Sequence, residues 1–200
     1  MYRRALVWAG VAYVLCHHLG LLPSGLGPGP RDTRWADWLD LAVPWLVLAP
    51  PAVALRAAEV TARVWVVFGA GVTAYASGHG IHLAANSIGN AAPGATAHLW
   101  DEQVGHYVWF AGVALVLAAL AVSMVDRPRP GPWGYALATA AGLTWATNAI
   151  GGETVLFSLG VALVAVGFGW CHRRDLAGSL WVGYLPAVVV LVGALVTAAA

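Results

Sequence analysis

Seven near-continuous apolar stretches alternate along this chain with short polar or Pro/Gly-rich breaks. They cover residues 5–22, 38–55, 63–89, 100–125, 133–151, 154–171 and 177–198. Each is close to the roughly 20 residues a helix needs to cross about 30 Å of hydrocarbon. The breaks carry turn chemistry: LPSGLGPGPRD after the first, Arg56 to Arg63 after the second, DRPRPGP after the fourth. Gly151-Gly152 permits only a tight turn between the fifth and sixth. Pro44, Pro50 and Pro51 inside the second stretch predict a kink or a break. The pattern predicts an all-α, polytopic transmembrane bundle of about seven spans, forming one integral-membrane domain over residues 1–200.

Composition agrees. The chain is 60% apolar and 10% charged, with a mean hydropathy of +0.73, where a soluble domain carries roughly 25% charged residues. All ten basic side chains are arginines. The absence of lysine excludes a retinal Schiff base. The scattered arginine pairs and a net charge of +1 leave no basic face for nucleic acid. Cys16 and Cys171 form neither a CxxC pair nor a disulfide framework. The Ala, Gly and Arg bias is that of a GC-rich bacterial genome, so the expected location is a bacterial cell membrane.

The arginines orient the bundle. With a cytoplasmic N-terminus, Arg3, Arg4, Arg56, Arg63, Arg127, Arg129, Arg173 and Arg174 all fall inside, and only Arg31 and Arg34 fall outside. That split follows the positive-inside rule and puts the C-terminus outside the cytoplasm. A rival reading makes residues 1–22 a cleaved signal peptide, because MYRR resembles a charged n-region. No A-x-A site follows, and Leu15 before Cys16 does not suit a lipobox.

Against this background the polar residues are concentrated. Six of the seven histidines fall at one end of the spans, most densely in Ser77-Gly-His79-Gly-Ile-His82-Leu-Ala-Ala-Asn86 and His98-Leu-Trp-Asp101-Glu102-Gln-Val-Gly-His106. Counting about 20 residues outward from Arg63 reaches His82, and the same count back from Asp126 reaches His106. Both groups therefore lie near the outer hydrocarbon boundary, with Glu153, Thr147 and Asn148 at a similar level and His17-His18 somewhat deeper. At helical spacing His79, His82 and Asn86 share a face, as do His98, Glu102 and His106. Ionisable groups at membrane depth mark a functional site by default.

Imidazoles and carboxylates converging at a water-accessible depth suit a divalent metal, zinc before iron. The candidate ligands are His79, His82, His98 and His106. Glu102, Asp101 and Glu153 are the candidate acid–base groups, and Ser77, Asn86 and Asn148 could orient the imidazoles. Singly, Asn86, Thr147 and Asn148 also suit plain helix–helix hydrogen bonds. His98 and Asp101 also read as solvated residues after the loop AAPGATA, and Asp101 and Glu102 as acids favoured at a helix N-terminus.

Seven spans with histidines and an aspartate near one face resemble the membrane hydrolase superfamily of alkaline ceramidases and adiponectin receptors. The resemblance implies zinc held by three histidines, helped by an aspartate and a serine. The chain departs from that pattern in having no histidine in 177–198, where the superfamily has a His-x3-His pair, and in reading His98-x2-Asp101. Trp100-Asp101-Glu102-Gln-Val-Gly-His106 is also similar to an Asp-x3-Gly-His stretch in small uncharacterised bacterial inner-membrane proteins.

Three activities remain open on these residues. One is a metal-dependent hydrolase of a lipid or lipid-linked molecule. Another is a di-iron or copper oxidoreductase using Glu102 and Glu153. The third is a carrier passing a proton or metal ion, and a haem between His82 and His106 is a further possibility. Reporter fusions test the orientation on which all of these rest. A cytoplasmic reporter is expected to be active at the N-terminus and an extracytoplasmic one at the C-terminus. A cytoplasmic C-terminus would mean an even number of spans or an inverted bundle.

Overall fold

A computed structural model describes residues 1–18 and 23–199. The end of the first expected segment, 19–22, lies outside the described residues. Long apolar runs satisfy their backbone groups internally as helices, and these follow in order. They are α1 (Tyr2–Cys16), α2 (Trp35–Asp40), α3 (Val43–Ala57), α4 (Ala62–Ala91), α5 (Ala95–His98), α6 (His106–Ser123), α7 (Pro132–Gly151), α8 (Val155–Cys171) and α9 (Ser179–Ala199). A π-helical turn, Leu99–Gly105, joins α5 to α6. No strand occurs among the described residues beyond one isolated bridge, Pro28 to Arg34.

Two expectations change in detail. The break in the second segment falls at Leu41-Ala42, upstream of the prolines. Pro44 occupies the first turn of α3, where no backbone N–H is required, and Pro50 and Pro51 lie within the helix. The stretch AAPGATA is also less of a loop than its composition suggests, because α5 already starts at Ala95.

Three helical stretches are long and apolar enough to cross a membrane: Trp35–Ala57, Ala95–Ser123 and Leu176–Ala199, with α8 a shorter apolar helix. Some large apolar side chains face outward, with Trp133 88% and Trp45 78% exposed, while Trp145, Leu55 and Leu191 are fully buried together with small residues such as Ala54, Ala146, Ala149, Ala162 and Ala187. An apolar exterior over small residues at the helix contacts suits a lipid solvent, where close packing holds helices together.

Consecutive long helices run up and down. At one pole Tyr2 donates to the Ser123 carbonyl, Arg3 to that of Pro128 and Arg127 to that of Ala58, while the Leu176 N–H donates to the Arg127 carbonyl. The starts of α1, α4, α7 and α9 and the ends of α3, α6 and α8 therefore meet there, together with the eight arginines expected on one side. The other pole holds the end of α1, α2, the end of α4, α5 with the π turn, and the turn between α7 and α8.

The most extensive helix contact is α4 against α6. A Cβ at Gly78 would overlap the Trp109 backbone nitrogen, and one at Gly112 would overlap that of Tyr75. Backbone therefore touches backbone along this seam, which is possible only without side chains at those positions. Gly78→Val is expected to force the helices apart and destabilise the protein by about 1–3 kcal/mol. Gly80→Val, on the same helix with open space around it, should change stability by less than about 0.5 kcal/mol. Thermal unfolding in detergent checks both.

Candidate metal centre

The α4–α6 seam ends at the pole opposite the arginines, where it brings three side chains together. His82 of α4, Asp101 of the π turn and His106 of α6 each present a ligand atom within 4.8 Å of the other two. His82 Nδ1 and an Asp101 oxygen are 2.5 Å apart, with the two side chains 16% and 13% exposed. His106 is buried, and its ring centre lies 4.4 Å from that of His82 at a 37° tilt. The rings are in contact, so no haem plane fits between them.

Winding explains the grouping. In a regular α-helix, at 3.6 residues per turn, positions five apart diverge by about 140°. Here the His106 N–H donates to the Asp101 carbonyl, an i→i+5 bond that widens the turn and brings Asp101 and His106 into line. Gly105 allows the wide turn to rest on α4, since a Cβ there would come within 2.9 Å of the His82 nitrogen and 2.8 Å of the Trp100 carbonyl. Gly152, in the turn between α7 and α8, backs the other side of the His106 ring.

The unpartnered atoms lie in the same place. Glu102 Oε2 approaches His106 Nδ1 to 2.9 Å, but the approach lacks hydrogen-bond geometry. Both atoms are buried without a partner, as is Trp109 Nε1. A buried polar atom without a partner costs roughly 1–3 kcal/mol, and more if charged. Two imidazoles and a carboxylate form a donor set that zinc and non-haem iron both accept. The residues therefore fit a divalent ion, with Glu102 as an uncommitted carboxylate beside it.

The other expected residues are placed differently. His79 was expected to share an ion with His82 and His106. Its Nε2 lies 3.3 Å from Asp40 Oδ1 on α2, and its ring centre is 6.4 Å from that of His82, so Asp101 takes the third position in the cluster. His98 is exposed at the end of α5. The four-residue ladder His98–Glu102–His106 assumes regular winding, which the π turn interrupts. Glu153 is exposed in the turn beside the centre with φ of 51°, and its carbonyl accepts from the Tyr107 hydroxyl. Ser77 points outward from α4. Asn86 accepts from Asn90, and Asn148 donates to the Thr144 carbonyl on its own helix. None of these three hydrogen-bonds a histidine among the described residues.

A second layer lies beneath. The His17 Nδ1–H donates to the Tyr13 carbonyl, and His17 Nε2 accepts from the Tyr75 hydroxyl at 3.2 Å. Trp109 is central to it, with ring centres 5.2 Å from His17, 5.0 Å from His79, 5.3 Å from His82 and 5.9 Å from His106. Asp40, Tyr75 and Trp109 are the members that sequence reasoning missed as partners of the histidines. Of these, Asp40 carried a signal, being an acid at the margin of an apolar run. His172 lies apart at the arginine pole, 3.5 Å from Asp175.

Comparison with family models, curated proteins and solved structures finds no match. The centre is therefore tested on its own residues. Asp101→Ala and His106→Ala are each expected to abolish retention of zinc or cobalt through purification, whereas His98→Ala and Ser77→Ala should retain it. Elemental analysis of the four proteins reads this directly.

Proposed function

We propose that this protein is a seven-span membrane metalloenzyme, a hydrolase of a lipid or lipid-linked substrate, with its arginine pole in the cytoplasm and its metal centre near the outer interface. The observation that carries this reading is the cluster of His82, Asp101 and His106 beside the unpartnered carboxylate of Glu102. Four such groups gathered at one pole of an apolar bundle exceed what helix packing needs.

His82, Asp101 and His106 would hold the ion, zinc before iron, leaving further coordination positions open. Such an ion supplies a Lewis acid that polarises a carbonyl and makes water acidic enough to lose a proton near neutral pH. The chain's own groups supply the rest. The Trp109 indole stacks on the rings of His82 and His106 at interplanar angles of 26° and 18°, fixing both planes. Glu102, partly exposed and bound to nothing else, accepts the proton of the attacking water and returns it to the leaving group. An apolar hollow lined by Ile81, Ala85, Ile88 and Trp100 adjoins His82 and Asp101 through the chain and suits the hydrocarbon part of a lipid.

The same donor set also serves non-haem iron in oxygen chemistry, which is the second reading. It predicts a coloured or redox-active protein. A carrier is supported less well, because between Tyr75 and Arg3 the described walls of the cavity below are mostly apolar.

Glu102→Gln separates these readings. Under hydrolysis it should keep its metal and lose about 10²–10⁴-fold in turnover of fluorogenic long-chain acyl esters and amides. Wild-type turnover in this variant would remove Glu102 from the chemistry. Colour and oxygen uptake by iron-loaded protein, with no hydrolysis, would favour the redox reading.

A further inference from the structure

Between the histidine layer and the arginine pole lies a half-open cavity of about 310 Å³, lined by α1, α3, α4, α6, α7 and α9. Its walls are apolar, as at Val113 and Ala141, but its two ends differ. The last lining residue of α1 is Tyr13, the last of α9 is Tyr184, and α4 contributes Tyr75. Three phenols therefore meet at the end nearer the histidines, while Arg3 stands at the other. Tyr75 is committed to His17. Tyr184 is only 4% exposed, and neither its hydroxyl nor that of Tyr13 hydrogen-bonds a group among the described residues. A phenol in an apolar interior normally has a partner, and both residues line the cavity.

We infer that this cavity is a second binding site, distinct from the metal centre, for a neutral carbonyl-bearing lipophile whose oxygen accepts hydrogen bonds from Tyr13 and Tyr184. The layer of Trp109, His17 and His79 separates it from the ion cluster, so its ligand is not the hydrocarbon tail of a molecule reacting there. Charge sets the class of ligand. No cation stands at the phenol end, and the Arg3 guanidinium at the far end is turned to the Pro128 carbonyl at 3.0 Å. A carboxylate beside the phenols would therefore lie in the bundle without a counter-ion, which is strongly unfavourable. A cationic head fares no better, since the nearby Asp40 is engaged by His79. Size narrows the choice further, because 310 Å³ is at the lower limit of small-molecule sites, which run from about 300 to 1,000 Å³. It accommodates one ring or one chain, such as a quinone head or a single acyl ester.

The test uses purified full-length protein in detergent with three probes. Decylubiquinone is followed by tryptophan-fluorescence quenching, and methyl oleate and oleate by the shift in melting temperature. Saturable binding of a neutral probe is expected, about threefold to tenfold weaker in Tyr13→Phe and in Tyr184→Phe, as loss of one hydrogen bond implies. Ala141→Phe, which fills the cavity, should abolish it. Saturation by decylubiquinone alone identifies a quinone ring, and by methyl oleate alone an acyl carbonyl. The inference is overturned if neither neutral probe saturates, if oleate binds more tightly than its methyl ester, or if the three variants bind as the wild type does.

Discussion

The contact between α4 and α6 governs much else in this molecule. Where Gly78 meets Trp109 and Gly112 meets Tyr75, the two backbones touch with no side chain between them. In lipid there is little hydrophobic gain from bringing helices together, so this proximity depends on small residues and dispersion. Everything polar in the interior then follows from the separation it sets. His82 and His106 can share a site because their helices are this close. Trp109 can stack on histidines from two other helices because its own backbone lies against α4. A wider seam would admit lipid or water between the imidazoles and leave buried polar atoms scattered among apolar neighbours.

The helices were largely legible in the sequence, and the reason is the backbone. A chain that must satisfy its backbone within each segment has little freedom in where helices start and stop, so hydropathy and the Pro/Gly breaks located the rods within a few residues. The eight arginines expected on one side lie at one pole, where seven helix ends meet. The centre was only partly legible. The spacing His98–Glu102–His106 invites an even four-residue ladder, and it does identify Glu102 and His106 as neighbours, 2.9 Å apart. The ladder fails at His98 because the helix between is wound to a wider pitch, which no pattern of apolar residues reveals. It is the same widening that lines Asp101 up with His106.

His79 illustrates a different limit. Its spacing from His82 is right for a shared ligand face, yet a partner from far away in the chain decides its role. Asp40 reaches it from α2, a helix held in place by the Arg34–Asp37 ion pair and by Ser87 of α4 donating to Asp37. Helical periodicity relates neighbours on one rod and carries no information about which distant carboxylate arrives opposite. The bare phenols of Tyr13 and Tyr184 belong to the same class, because their isolation becomes apparent only once three helices are assembled around them.

The π turn has an implication for how such a centre could arise or disappear. A wide turn is topologically one residue too many for the length of helix it occupies. Wound as a regular α-helix, the same seven residues would turn Asp101 about 140° away from His106, and a deletion among 102–105 would bring the two back onto one face by setting them four apart. The centre is thus a matter of phase rather than of composition. It depends on how this one turn is wound, so the same side chains on an evenly wound helix would not converge on an ion.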